Sequence, residues 1–195
     1  MTDKKISLPE IKTEQKSGAE KFLMNGIEQS FSLIDFWSWN QSDLIENRTR
    51  GILAEYIVKN ALDVKNNDRI EWDDYDLITE TGLKIEIKSA AYIQTWAQEK
   101  FSNISFDISV NKRSKSERKS DFYIFCLLDC KKQNQINPQD LDQWTFFLVE
   151  TTEINNVLNS QSSITLNALR KKLNHFECKY YELKKLIETI GNKSN

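Results

Sequence analysis

The chain has 195 residues, of which 39% are hydrophobic and 29% charged, so it can bury the core of one globular domain. Its formal net charge of −2 excludes a general polyanion binder, and any nucleic-acid surface must be a local patch. The glycines form no phosphate-binding or dinucleotide motif, and the cysteines have neither disulfide nor zinc-site spacing. His175 lacks a nucleophile motif and is interpreted as structural. A site built from carboxylates and lysine is compatible with this composition.

The N-terminal region is polar and lacks periodicity, which predicts a disordered tail over residues 1–20 and a single domain over residues 21–195. It has no apolar segment typical of a secretion signal, so we expect a cytoplasmic protein. A helical segment is predicted near residues 31–39. Its aromatic residues Trp37 and Trp39 are expected to pack as core, the usual role of large aromatic side chains.

A second helix is predicted from about residue 49 to residue 62, with apolar residues around most of its circumference. Glu55 falls on the apolar side of this helix, where an ionised carboxylate needs a partner. Two partners are consistent with the sequence. One is Arg48 or Arg50 a turn away, and the other is a metal ion shared with acidic residues of the following hairpin.

Residues 74–88 predict a β-hairpin with a three-residue loop that ends at Gly82, a position that favours left-handed backbone. This register places Asp76 opposite Glu86, with Lys88 on the same polar face. Two opposed carboxylates repel each other unless a cation lies between them. The hairpin therefore predicts a hydrolytic metal site, although a polar face that is merely solvated fits the same alternation.

The second hairpin strand is expected to continue to Trp96, which would keep Gln94 and Trp96 on the face of Lys88. The run 122–128 is too short to span a bilayer and predicts a central strand covered on both faces, so no membrane association is expected. The other predicted elements are strands at 104–110 and 144–149 and helices at 153–158, 166–173 and 181–190. The chain is expected to form one α/β domain.

The segment 111–120 is rich in basic residues. Its basic residues are Lys112, Arg113, Lys115, Arg118 and Lys119, and it has one acidic residue. Such residues could contact phosphates in a manner that depends on salt and not on base sequence. The alternative is a loop that is only solvated.

The order of these features resembles the PD-(D/E)XK nuclease superfamily, in which an inward glutamate on a helix precedes a strand with Asp and a strand with Glu-x-Lys. Here the matching residues are Glu55, Asp76 and the tripeptide Glu86-Ile87-Lys88. The proline that names the motif is missing, since Tyr75 precedes the aspartate. Four segments also resemble a group of small bacterial proteins assigned to that superfamily: Arg50–Glu55, Trp72–Leu77, Glu86–Trp96 and Asp140–Trp144.

The resemblance implies an α/β fold with a restriction-endonuclease-like core, in which helices flank a mixed central β-sheet in the order αβββαβ. It also implies a metal-dependent phosphodiester hydrolase that acts on nucleic acid, with DNA expected before RNA. Mg²⁺, which Mn²⁺ can replace, would be held by Asp76, Glu86 and the main-chain carbonyl of Ile87. Glu55 would be a third acidic ligand or would bind the ion through a water. Lys88 would hold or deprotonate the attacking water or neutralise charge on phosphate oxygens.

The resemblance also places Gln94 where some branches of the superfamily keep a glutamine, and we expect it to contact nucleic acid together with the basic loop. A second hypothesis is a catalytically silent restriction-fold binding module within a defence or repair assembly. The sequence is compatible with a homodimer, and it does not identify a nucleotide sequence that the protein would recognise.

Overall fold

The computed structural model of the protein describes residues 8–9, 11, 14–65, 74–110, 117–159 and 161–191. The chain divides into two compact units, residues 1–42 and residues 43–195. This boundary differs from the one predicted after residue 20, and the domain assignment stays a prediction. Half of the predicted tail, including residues 1–7, lies outside the described residues. Within the described ranges, no helix is both long enough and apolar enough to cross a membrane.

The first unit contains a hairpin of β1 (Lys21–Met24) and β2 (Ile27–Ser32), followed by helix α1 (Leu33–Gln41). The predicted helix at 31–39 is thus confirmed, but the hairpin before it was missed. Asn25 and Gly26 form its loop with φ of 52° and 79°. These left-handed conformations suit a two-residue hairpin turn. The expectation that Trp39 packs as core is wrong, because its side chain is 82% exposed on a helix with no fully buried residue.

The second unit has a mixed sheet at its centre. Its described strands are β3 (Leu77–Ile78), β4 (Lys84–Ala91), β6 (Phe122–Leu128), β7 (Trp144–Glu150) and β9 (Phe176–Cys178), in that spatial order. Strands β4 and β6 are parallel and the other neighbours antiparallel. Two further strands, β5 (Ser105–Asp107) and β8 (Ser163–Thr165), form a small antiparallel sheet.

Helices cover both faces of the central sheet. They are α2 (Asn47–Ala61), α3 (Thr151–Leu158), α4 (Leu166–Lys172) and α5 (Tyr180–Gly191). One core cluster joins α2 and α5 to the sheet, and a second joins α3, α4 and the small sheet to its other face. All residues of β6 are buried, as an apolar central strand requires. The predicted α/β architecture with a mixed central sheet is confirmed.

Two predicted strands end earlier than expected. Strand β4 stops at Ala91, where the Gln94 Nε2 donates a hydrogen bond to the Ala91 carbonyl at 2.9 Å and closes a turn. Gln94 and Trp96 therefore do not continue the face of Lys88. The strand predicted at 104–110 is only the three-residue β5. The helices predicted in this unit are present, with ends shifted by up to two residues.

Candidate active site

The hairpin of β3 and β4 has the predicted register. Leu77 lies opposite Ile85 and Ile78 opposite Lys84. Gly82 adopts a φ of 85°, as the short loop requires. Strand β3 is only two residues long, so Asp76 lies immediately before it. Asp76 is therefore held at the edge of β4 by its own hydrogen bonds.

The Asp76 carboxylate accepts a hydrogen bond that a main-chain carbonyl would accept in a longer β3 strand. Its Oδ2 accepts a hydrogen bond from the Ile87 amide at 2.6 Å, and its own amide donates to the Ile85 carbonyl at 3.0 Å. Burial, followed by the charges of Glu86 and Glu55, raises the Asp76 pKa from 3.8 to about 7, although Lys88 and the Ile87 amide oppose the rise. Both the protonated and the ionised form of this carboxyl group are therefore accessible near neutral pH.

Glu86 and Lys88 form an ion pair on one face of β4. The Lys88 Nζ lies 2.5 Å from the Glu86 Oε1. The Lys88 side chain is 29% exposed and the Glu86 side chain is 19% exposed. Burial lowers the Lys88 pKa, but the charges of Glu86 and Asp76 and the hydrogen bond to Glu86 outweigh it and raise the pKa. The ammonium therefore stays protonated beside the two carboxylates.

Glu55 lies on helix α2, and its place relative to the two hairpin acids follows from the packing of that helix. Helix α2 packs in the core cluster of Ile85 and Ile87, whereas alternation along β4 places Glu86 on the opposite face. The charge of Glu55 still contributes to the raised pKa of Asp76. Among the described residues, no three His, Cys, Asp or Glu side chains are arranged to hold a metal ion.

The chemistry of this donor set nevertheless fits a hard divalent cation. Asp76 and Glu86 offer carboxylate oxygens, the ligands that Mg²⁺ prefers. Burial is the largest cause of the raised pKa of Asp76 and the charge of Glu86 is the next, so a cation bound between the two acids would favour the ionised carboxylate. The Ile87 side chain is buried and its amide binds Asp76, and the ligand role of its carbonyl stays a prediction.

Tyr123 also belongs to this site and was not predicted from the sequence. The parallel register of β4 and β6 places Tyr123 beside Glu86. Burial and the charge of Glu86 raise the Tyr123 pKa to about 12, whereas the charges of Arg118 and Lys88 oppose the rise. The only signal in the sequence was the single hydroxyl group in an otherwise apolar strand.

Arg118 lies against Tyr123 and is bound by the protein itself. Its guanidinium donates to the Ile108 carbonyl at 2.8 Å and to the Asn155 Oδ1 at 2.8 Å. Further bonds go to the carbonyls of Asn159 and Gln161. These contacts indicate that Arg118 ties the end of the basic loop to the segment after β5, to α3 and to the segment between α3 and β8.

The other basic residues of this loop are placed differently. Lys112, Arg113 and Lys115 lie outside the described residues. Lys119 pairs with Glu117 at 2.9 Å, and the charge of Asp74 also raises its pKa, after the hydrogen bond and charge of Glu117. The described end of the loop therefore runs beside the hairpin that carries Asp76, and its contact with phosphates stays a prediction.

Replacing Arg118 by alanine is expected to lower the free energy of unfolding by roughly 1–3 kcal/mol, because several carbonyls lose a charged donor. Urea denaturation of the full chain measures this loss. Lys119→Ala is the matched control, since its ion pair with Glu117 is exposed to solvent and its loss should leave the free energy of unfolding nearly unchanged. Unchanged stability of Arg118→Ala would contradict this structural role.

Gln94 is buried and makes its contacts within the protein. Its Nε2 donates to the Ala91 carbonyl and to the Ser102 Oγ, and its Oε1 accepts from the Arg50 Nη1 at 3.4 Å. Arg50 also donates to Asn47 and to the Ile45 carbonyl. The predicted contact of Gln94 with nucleic acid stays a prediction.

Two interpretations from the sequence agree with the structure. The His175 Nδ1 lies 2.9 Å from the Leu173 carbonyl, and its ring packs near Phe147, as a structural histidine would. The cysteines Cys126, Cys130 and Cys178 are free thiols. Neither residue type adds a nucleophile to the site, which leaves the carboxylates and Lys88 as its reactive groups.

A comparison with protein families finds one match that spans most of the chain. The family model described as bacteriophage T4 endonuclease IV matches residues 4–168. A comparison with curated proteins finds no match. The family match includes the hairpin with Asp76, Glu86 and Lys88 and ends before α5.

Proposed function

The chain belongs to the bacteriophage T4 endonuclease IV family, and from this premise we propose that it is a metal-dependent nuclease that hydrolyses phosphodiester bonds of nucleic acid, with DNA as the first candidate. The observation that carries the proposal is the half-buried group of Asp76, Glu86 and Lys88 on one hairpin. Membership in an endonuclease family supports the reaction, and the donor set supports the metal.

A restriction-endonuclease-like core is part of the same proposal. Helix α2, the hairpin with the two acids and the parallel pair of β4 and β6 follow the order of the PD-(D/E)XK pattern. One difference lies between β4 and β6, where the described residues contain β5 and no helix. The pattern of acids and lysine therefore supports the assignment more strongly than the full order of elements.

In this proposal Asp76 and Glu86 would hold Mg²⁺ or Mn²⁺, with the Ile87 carbonyl as a further ligand. Glu55, on the helix that covers the opposite face from Glu86, would act through a bound water. A bound cation of this kind lowers the pKa of its water and polarises the phosphodiester. Glu86 now accepts a hydrogen bond from the Lys88 ammonium at one carboxylate oxygen, and its other lone pairs would be available to a cation. Lys88 can then hold or deprotonate the attacking water or neutralise charge on the phosphate oxygens. Tyr123 lies beside Glu86 on the neighbouring strand.

A cleavage assay on single-stranded and duplex DNA and on RNA tests this function. The purified full chain should cut at least one of these substrates in millimolar Mg²⁺ or Mn²⁺. A chelator should stop the reaction, and fresh metal should restore it. Undiminished cleavage in the chelator would contradict a metal-dependent site, and failure to cut any substrate would favour the silent binding module.

A further inference from the structure

The loop between β4 and β5 exposes aromatic side chains. Trp96 is 55% exposed and Phe101 is 51% exposed, although residues of this size are usually buried. Tyr92 is half-buried at the start of the loop, and its ring meets the Phe101 ring edge-to-face at 6.2 Å between centroids. The loop therefore presents ring surface to solvent beside the last residues of the strand with Glu86 and Lys88.

This exposure occurs on a loop held in place by hydrogen bonds. The Ser102 amide donates to the Tyr92 carbonyl at 2.9 Å and joins the two ends of the loop. Inside the loop, the Gln94 amide donates to the Gln98 Oε1 at 2.7 Å, and the Gln98 Nε2 donates to the Ser102 Oγ at 3.0 Å. Ile93 anchors the loop in the protein interior. Such a loop can present its aromatic rings to a ligand with little further loss of conformational entropy.

Basic residues lie beside the rings. The Lys131 Nζ is 4.3 Å from the centroid of the Tyr92 ring, a cation–π distance. Lys132 is exposed next to it in the sequence, and within the loop Lys100 offsets the charge of Glu99. The surface of Tyr92, Trp96, Phe101 and Lys131, here called the aromatic surface, thus combines π faces with a positive charge.

The aromatic surface follows the candidate site along one strand. Lys88, Ala90 and Tyr92 alternate onto the same side of β4, and Tyr92 packs against the same core cluster as Ala90. Four residues of extended chain place Tyr92 about 13 Å from Lys88. Strand β3 pairs only with Lys84 and Ile85 at the start of β4. Ala90 itself is buried, but beyond Ile85 the outer edge of β4 has no strand partner among the described residues. A ligand bound at Lys88 could therefore extend along this edge to the loop with the aromatic rings.

We propose that the aromatic surface stacks on unpaired nucleobases of the strand that is bound at the candidate active site. The partner class rests on the proposed function, whereas the surface rests on the exposure and rigidity of the loop. Every nucleobase has a π face, so this contact tolerates different base sequences. Lys131 would contact the adjoining phosphate.

Binding of a fluorescent oligonucleotide to the full chain, in the presence of a chelator, tests the proposal without cleavage. Trp96→Ala and Phe101→Ala should each raise the Kd for a single-stranded oligonucleotide about tenfold, the scale of one stacked base. Trp96→Phe, which keeps a ring, should retain most of the affinity. The Kd for a blunt duplex should change less than about twofold, because its bases are already stacked.

Tyr181→Ala is the matched control, since Tyr181 is 77% exposed on α5 and lies outside the aromatic surface. The Kd of Tyr181→Ala for the single-stranded oligonucleotide should equal that of the wild-type chain. Circular dichroism should show the same Tm for all variants. Wild-type affinity of both Trp96→Ala and Phe101→Ala, or an equal loss on the duplex, would overturn the stacking surface. Binding without any metal-dependent cleavage would overturn the proposed function and leave the surface supported.

Discussion

Replacing Glu86 by glutamine is expected to lower kcat/KM for phosphodiester cleavage at least ~10²-fold, the usual scale for removal of one group that stabilises the transition state. Glutamine keeps the size of the side chain but removes the charge that would bind the cation and that now pairs with Lys88. Lys88→Ala should cause a loss of similar size, because the ammonium is the only cationic side chain described in contact with Glu86.

The matched control for Glu86→Gln is Glu80→Gln at the tip of the same hairpin. Glu80 pairs with Lys65 at 3.3 Å, and both side chains are largely exposed. The Glu80→Gln chain should therefore cleave at the rate of the wild-type chain. Circular dichroism and Tm should show that each variant is folded. Full metal-dependent cleavage by Glu86→Gln or by Lys88→Ala would remove these two residues from the mechanism.

The stability of the metal-free chain is expected to fall between pH 5 and pH 8 because of Asp76. Burial and the charges of Glu86 and Glu55 raise its folded pKa to about 7, above the unfolded value of 3.8. The folded state therefore holds a proton that the unfolded state has lost, and stability declines as pH rises through the folded pKa. The expected decline is roughly 1–4 kcal/mol relative to Asp76→Asn, which cannot ionise.

Urea denaturation of both chains at pH 5 and pH 8 measures this difference. A divalent cation should compete with the proton, so that Mg²⁺ or Mn²⁺ raises the Tm of the wild-type chain more at pH 8 than at pH 6. Asp76→Asn should lose most of this response. Parallel pH profiles of the two chains, with no metal response in either, would show that Asp76 is an ordinary surface acid.

Much of the candidate site could be predicted from the sequence because it depends on local rules. Gly82 fixed the hairpin loop, and strand alternation then aligned Asp76 with Glu86 and placed Lys88 on the same face. The central position of β6 followed from its unbroken apolar composition. The first-unit hairpin was also predictable in principle, since Asn25-Gly26 is a strong turn signal.

Other features depend on contacts between distant residues and carry little local signal. Arg118 binds Asn155, which is 37 positions away, so its basic charge suggested nucleic acid although the structure assigns it protein contacts. Tyr123 joins the site only through the parallel register of β4 and β6. The early end of β4 depends on Gln94, whose buried amide also binds Arg50 and Ser102.

The central claim is that Asp76 and Glu86 bind one divalent cation, and anomalous diffraction from a crystal soaked in Mn²⁺ tests it most directly. The expected result is an anomalous peak in direct contact with carboxylate oxygens of both residues, with Lys88 alongside. A Glu86→Gln crystal soaked in the same way should lack the peak. No peak between the two carboxylates of the wild-type chain, with Lys88 still bound to Glu86, would contradict the claim.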